Sequence, residues 1–328
     1  MKTAKKNSIL LLATFVLYGF ITDPVGAQTT GAGEKAILGV PSPALSMLPV
    51  FFAQDRGLFK KEGIEPVIVH MGGRLQALAL ASAEIDYTAS VETALRAAIQ
   101  GMPFKVVVYT SAKMSVSLVT TPEIKSVADL RGRAIAVTSL GGGLEYALRE
   151  ILAKLGGLNP DREVRIVALS MTDQMLGLTS GSLQGAMLVP PFDAIMAKKG
   201  FKSLVFAGDI MDFPQGGLAT TDKKIKERPS QVKKIVRAIV NSLIHIRENR
   251  DELVSYIANR WKIDHDLASA SYEVMVRSFS RDGTASSRSI QNVIDSTRAR
   301  LKIERPTAVS DLINLSLLEE VRREMGIK

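Results

Sequence analysis

From residue 36 onward, short apolar runs alternate with segments whose apolar positions recur every three or four residues. Ala36–Val40, Pro66–His70, Ile85–Ala89 and the valine-rich Lys105–Thr110 read as strands. Pro49–Lys61, Leu75–Ser82 and Val91–Gln100 carry helical spacing between them, the first running into charge ahead of Gly63 and the last closed by Gly101. Strands separated by helices of this length predict βαβ units, which lay their strands parallel in one sheet. The order then recurs. Ala134–Thr138, Val164–Leu169 and Gly185–Val189 read as strands, with helices at Gly143–Leu155 and Thr172–Thr179. Leu75–Tyr87 (LQALALASAEIDY) is echoed by Gln174–Met187 (QMLGLTSGSLQGAM): a leucine-rich helix, a turn of small residues, then an apolar strand. One long unit seen twice predicts two similar α/β lobes rather than a solenoid.

Two lobes on one chain need crossings. A strand at Val116–Thr121 follows Tyr109–Ser115, which puts the first crossing near Ser111. Ser203–Ala207 reads as a further strand of the second lobe. The irregular stretch Ala207–Gly217 (AGDIMDFPQGG) suits the return crossing, with Gly217–Thr221 re-entering the first lobe. From Ser230 the chain reads almost wholly as helix: Gln231–Arg247, Asp251–Trp261, Asp266–Val276, Ser289–Arg300 and Val309–Met325, with Ser230 as a cap after Pro229. This region is expected to pack mainly on the first lobe. The predicted boundaries are 28–112 with 215–328 for lobe 1, and 113–214 for lobe 2.

The first 27 residues bear on compartment. Lys2, Lys5 and Lys6 precede an apolar run from Ile9 to Ile21, and Val25-Gly26-Ala27 follows with small residues where a signal peptidase reads. These are the parts of a secretory signal peptide. The run is shorter than the roughly 20 residues that a bilayer span needs. The chain has no cysteine, which excludes disulfides, thiolate catalysis, cysteine metal sites and a lipidated cysteine at the cleavage site. A periplasmic protein beginning near Gln28, not a lipoprotein, is expected.

Charge changes the picture little. Lys and Arg number 42 against 33 Asp and Glu, a net +9. A basic balance can serve nucleic acid or an anionic membrane, but export argues against nucleic acid. The basic residues are spread over helical segments such as Lys223–Arg237, as on solvated helix faces. His70, His245 and His265 do not have metal-ligand spacing. The Gly-x-Ser-x-Gly nucleophile pattern, the dinucleotide glycine fingerprint and the P-loop lysine are all missing. No cofactor or metal is expected.

Three segments carry a family resemblance. Pro49–Glu65 (PVFFAQDRGLFKKEGIE), Met71–Tyr87 (MGGRLQALALASAEIDY) and Ile124–Val137 (IKSVADLRGRAIAV) resemble, in order, successive segments of the nitrate/sulfonate/taurine and thiamine-precursor binding proteins of ABC importers. The resemblance covers residues 36 to about 250. It implies the two-lobed periplasmic-binding-protein fold of type II, with parallel-rich sheets flanked by helices, in agreement with the alternation above. It also implies a monomer that captures a small molecule by hinge closure and hands it to a membrane permease.

In open α/β sheets, ligands sit beyond the carboxyl ends of strands, and clefts between lobes are favoured sites. Five such ends stand out. In Thr138–Gly143, the glycines Gly141, Gly142 and Gly143 leave backbone N–H groups at a helix N-terminus, which favours an anion; otherwise they only make a tight turn. Gly72 and Gly73 offer the same from the other lobe. Ser42, Ser90 and Ser139 present hydroxyls either to a ligand or as helix caps. Arg74 either neutralises an anion or is an exposed arginine at a helix start. Glu92 and Glu145 lie in first turns, where acids suit the helix dipole; facing the cleft, they would favour a cationic or hydroxyl-bearing ligand. Tyr146, Pro191 and Phe192 are candidate apolar walls. The leading expectation is a non-enzymatic binder of a small, anionic organic molecule such as a sulfonate or carboxylate, or of nitrate. The alternatives are a ligand sensor for a receptor and a pyrimidine-synthase-like enzyme, whose class carries a cysteine-rich motif that this chain lacks.

Overall fold

The computed structural model describes residues 33–327, apart from Ser42, Gly141 and Arg305. The signal-peptide expectation lies outside the described residues. The chain runs through β1 (Glu34–Val40), α1 (Leu48–Asp55), α2 (Leu58–Lys61), β2 (Ile64–His70), α3 (Gly73–Ala81), β3 (Tyr87–Thr88), α4 (Val91–Ile99) and β4 (Phe104–Tyr109). It continues through β5 (Ser117–Thr120), β6 (Ala134–Val137), α5 (Gly143–Gly156), β7 (Arg165–Ala168), α6 (Met171–Ser180), β8 (Gly185–Leu188), α7 (Phe192–Lys198), β9 (Lys202–Phe206) and α8 (Ala207–Ile210). It ends with β10 (Gly217–Thr221), α9 (Asp222–Glu227), α10 (Pro229–Glu248), α11 (Arg250–Trp261), α12 (His265–Ser278), α13 (Ser287–Leu301) and α14 (Ser316–Glu324).

The strands form two sheets of five, ordered β2-β1-β3-β10-β4 and β7-β6-β8-β5-β9. This is the two-lobed α/β architecture. β1 lies parallel to β2 and β3, and β6 parallel to β7 and β8. The one strand that follows each crossing, β5 or β10, enters its sheet antiparallel between two others. β4 (FKVVVY) is buried along nearly its whole length because helices cover both faces of its sheet. The apolar stripe of α10 packs on α1, α2 and β4. Each fully buried Val, Ile or Leu in it contributes roughly 1.5–3 kcal/mol. Buried Gln231 fixes the pairing: it accepts from Tyr87 Oη at 3.1 Å and donates to Glu34 Oε1 at 2.9 Å.

The internal repeat is closer than the residue pattern implied. Gln76 and Gln174 are both fully buried in the first turn of α3 and α6, and each Nε2 donates to the carbonyl five residues earlier, Met71 O and Leu169 O. Ser82 and Ser180 both donate to the carbonyl three residues back. Ala83 and Gly181 both take positive φ, 61° and 76°. Asp86 and Gln184 then accept the backbone N–H of Ile37 and Ala134, tying each turn to the second strand of its sheet, β1 or β6. The repeat therefore begins at the glutamines, one residue later in the first lobe than Leu75.

Several elements differ from expectation. The helix expected over Pro49–Lys61 breaks at Gly57, whose φ of 66° starts a separate turn. Ser230 does not cap α10: Pro229 occupies its first position, with Arg228 before it, so Ser230 is already helical. The strand expected over Ile85–Ala89 shrinks to Tyr87–Thr88. The helix expected over Val309–Met325 is a 3-10 turn at Val309–Asp311 followed by α14, because Asn314 accepts from the Ser316 N–H and hydroxyl and stops the turn between them. The irregular return segment contains α8, and α7 was not anticipated.

Candidate functional site

The carboxyl ends of β1, β3, β6 and β8 face one another and enclose a cavity of about 290 Å³. From the first sheet come Pro41, Ser46 and Met47 after β1, and Ser90, Glu92 and Thr93 after β3. From the second come Leu144 at the start of α5, and Val189 and Pro190 after β8. Trp261, the single tryptophan, steadies the β1 loop by donating to Pro43 O at 2.6 Å. Both crossings contribute as well, through Ser111, Ser115, Gln215 and Gly216, and α12 closes the floor with Met275 and Phe279.

The crossings are tied to each other. Ser111 Oγ accepts from Gly216 N at 2.8 Å, and Thr110 N donates to Gly216 O at 2.9 Å. A Cβ on Gly216 would come within 2.6 Å of Thr110 Oγ1, and one on Gly217 would collide with the Val108 carbonyl oxygen. At Gly217 glycine is required by close backbone approach, since a backbone carbonyl cannot swing away as a flexible side chain can.

Glu92 is the one ionisable side chain among the described residues of this lining. Its Oε1 accepts from Arg96 Nη2 at 3.1 Å, one helical turn along α4. Its Oε2 reaches across the cleft and lies 3.6 Å from the point where a Cβ on Gly143 would stand; Gln215 Nε2 is 3.4 Å from the same point. The remaining polar lining is hydroxyl and amide: Ser46, Ser90, Thr93, Ser111, Ser115 and Gln215. Beside Pro190, Asp193 is buried at the start of α7, where Ala194 N donates to its Oδ1 and Ser117 Oγ to its Oδ2. Burial pushes the Asp193 carboxyl up to about 6, against the opposing effect of those two hydrogen bonds.

The structure brings together only part of the anticipated set. Ser90 and Glu92 line the cavity, and Gly143 forms its edge against Glu92. Gly73 packs α3 against α4: its Cβ position lies 2.7 Å from Thr93 Oγ1 and 3.3 Å from Ser90 Oγ, so it sits behind the lining. Gly72 and Arg74 are exposed and outside the lining. Ser139 is exposed, with its hydroxyl against Gly142. Pro191 precedes α7 and Phe192 packs against the core of the second sheet, leaving Pro190 as the wall. Tyr146 stacks on Phe213 at 5.6 Å between ring centroids. It lines a separate apolar cavity, with Gly142 and Glu145, between α5 and α13; there Glu145 accepts from Arg149 at 2.8 Å. Ser42 and Gly141 lie outside the described residues. Ser111, Ser115, Gln215, Met275 and Phe279 were missed. The crossing segments were recognisable, and a crossing between lobes necessarily borders the cleft; nothing local marks the end of α12 as its floor.

A family model described as NMT1/THI5 like matches residues 45–253. The chain belongs to the NMT1/THI5-like family. Its curated relatives include the riboflavin-binding protein RibY of Chloroflexus aurantiacus, 26% identical over 259 residues that make up 74% of this chain and 73% of that one. The sulfonate ABC transporter periplasmic protein SsuA of Methylobacillus flagellatus has the same fold, with a TM-score of 0.73 at 16% identity over 90% of this chain and 96% of that one. So does the desulfurization enzyme DSZB, with a TM-score of 0.67 at 15% identity over 89% and 99%. Among the described residues no helix is long and apolar enough to cross a membrane, and no cluster of three His, Cys, Asp or Glu side chains is arranged to hold a metal ion.

Proposed function

We propose that this chain is the periplasmic solute-binding subunit of an ABC importer, which traps a small organic molecule between its lobes and presents it to a membrane permease. The observation that carries this reading is the cavity itself. Strand ends of both sheets and both crossings wall it, so a ligand there touches both lobes and the hinge at once. A ligand that contacts both lobes favours the closed arrangement by its differential affinity. We place the hinge at the paired crossings, with lobe 1 as 28–112 and 215–328 and lobe 2 as 113–214. A cavity of about 290 Å³ suits a small organic molecule or part of a larger one. Family membership puts sulfonates, carboxylates and nitrate among the candidates, and the relative named for riboflavin adds an uncharged heteroaromatic.

The test is a thermal-shift screen of the purified chain against ethanesulfonate, taurine, nitrate, benzoate, thiamine and riboflavin. A ligand that binds only the native state raises the melting temperature in proportion to RT ln(1 + [L]/Kd). A dose-dependent rise with any one of them, and mass-spectrometric recovery of that compound unaltered, supports binding without chemistry. Conversion of the compound would instead favour an enzyme, a second reading that the shared fold of DSZB keeps in view. No shift with any compound would count against the solute-binding reading.

A further inference from the structure

The first turn of α5 is where an anionic head group was expected, and the protein's own chemistry already occupies that direction. α5 is a helix of 14 residues whose first turn follows Gly142, with no side-chain cap from that residue. Its N–H groups and dipole favour negative charge. The Glu92 carboxylate, carried by α4 on the other sheet, approaches Gly143 to within 3.6 Å of its Cβ position. It is held from behind by Arg96, whose guanidinium lies one turn further along α4 and does not line the cavity. No lysine, arginine or histidine lines the cavity among the described residues. An anion entering would therefore meet a carboxylate at the position that should attract it, with Arg96 behind that carboxylate and no cation among the described lining residues on the anion's own side. Like charges brought together repel, and the half-buried setting of Glu92 screens that repulsion less than open water would. The hydroxyls and the Gln215 amide that make up the rest of the polar lining can donate to or accept from an uncharged ligand.

We propose that Glu92 sets the ligand class. Its carboxylate stands in for an anionic head group at the α5 N-terminus, so the cavity takes uncharged organic molecules bearing hydroxyl, amide or imide groups and turns away sulfonates, carboxylates and nitrate. This rests on the solute-binding reading above and narrows it. The function of Glu92 is to select, and Gly143 and Gln215 complete the contact on the facing side.

Isothermal titration of the wild-type chain and of E92Q, E92A and R96Q with ethanesulfonate, nitrate and riboflavin tests it. Two variants at Glu92 guard against one that fails to fold, which ligand-free melting reports. The expected result is at least tenfold tighter binding of ethanesulfonate or nitrate by a folded Glu92 variant than by the wild type. R96Q, which keeps the carboxylate and removes the guanidinium behind it, should show no such gain. Absence of any gain at Glu92 overturns the proposal, whether the wild type binds these anions well or not at all. An equal gain in R96Q also overturns it, since the effect would then be loosening of α4 rather than removal of charge. Failure of the broader reading looks different: no compound of the larger panel would then shift the wild-type chain, whatever the Glu92 variants do with anions.

Discussion

Asp193 sits at the start of α7 beside the Pro190 wall, with 4% of its surface exposed and, among the described residues, no ion pair. Its carboxyl is pushed up to about 6 by burial. A native value above the unfolded one means that the folded protein holds this proton more tightly. The contribution to stability is therefore fully present below about pH 4 and is lost as pH rises toward about 6 and beyond. Asp193→Asn keeps an acceptor for Ala194 N and removes the charge. It is expected to raise the melting temperature at pH 7.5, by up to about 3 kcal/mol of stability, and to change it little at pH 4. Equal effects at the two pH values would show that the carboxyl is not what titrates. Sequence reading did not single out Asp193, because its hydrogen bond to Ser117 joins residues far apart along the chain.

Helices and strands were legible where periodicity was long, and least so where a short polar motif interrupts it. Gly57 and the Asn314 turn each split a helix that the apolar spacing alone would continue. The glycines of the second crossing show the opposite case, in which local sequence carried a tertiary requirement. Gly217→Ala would drive a methyl group into the Val108 carbonyl oxygen, and is expected to cost about 1–3 kcal/mol in urea unfolding, or to prevent folding. Gly72→Ala is the contrast: φ there is −60° and nothing stands within 4 Å of the new methyl, so stability should stay within about 0.5 kcal/mol. Equal destabilisation by both would mean that close approach at the crossing is not what holds Gly217.

At the scale of the molecule, two exposed ion pairs join α12 and the residue before it to α7 and α8. Lys198 Nζ of α7 meets Asp264 Oδ1, just before α12, at 2.9 Å, and Arg277 meets Asp209 of α8 at 2.6 Å. Exposed pairs contribute about 0–1 kcal/mol each. That is too little to lock the lobes and enough to bias the proposed open–closed equilibrium by a factor of roughly five. Lys198→Ala, which leaves Asp264 free to keep capping α12 through Leu267 N, is expected to enlarge the ligand-free radius of gyration in small-angle scattering. Its melting temperature should barely change. An unchanged radius in Lys198→Ala combined with Arg277→Ala would remove these pairs from any account of closure.

Alternation of apolar runs and helical stretches determined by itself that the chain is α/β, that the pattern occurs twice, and that two crossings must exist, because hydrophobic period and glycine position are local properties. The strand ends that border the cavity were legible as well, because in a parallel sheet chain direction alone decides which loops lie at the carboxyl ends. Which side chains share the cavity was decided only in three dimensions. Ser111 meets Gly216 across 105 residues, and the α12 floor arrives from the last third of the chain. The charge that faces the start of α5 was decided there too. Glycines at the start of α5 signalled an anion, and the carboxylate facing them belongs to a helix of the other lobe, a juxtaposition that depends on how two sheets are set against each other and that no local pattern encodes.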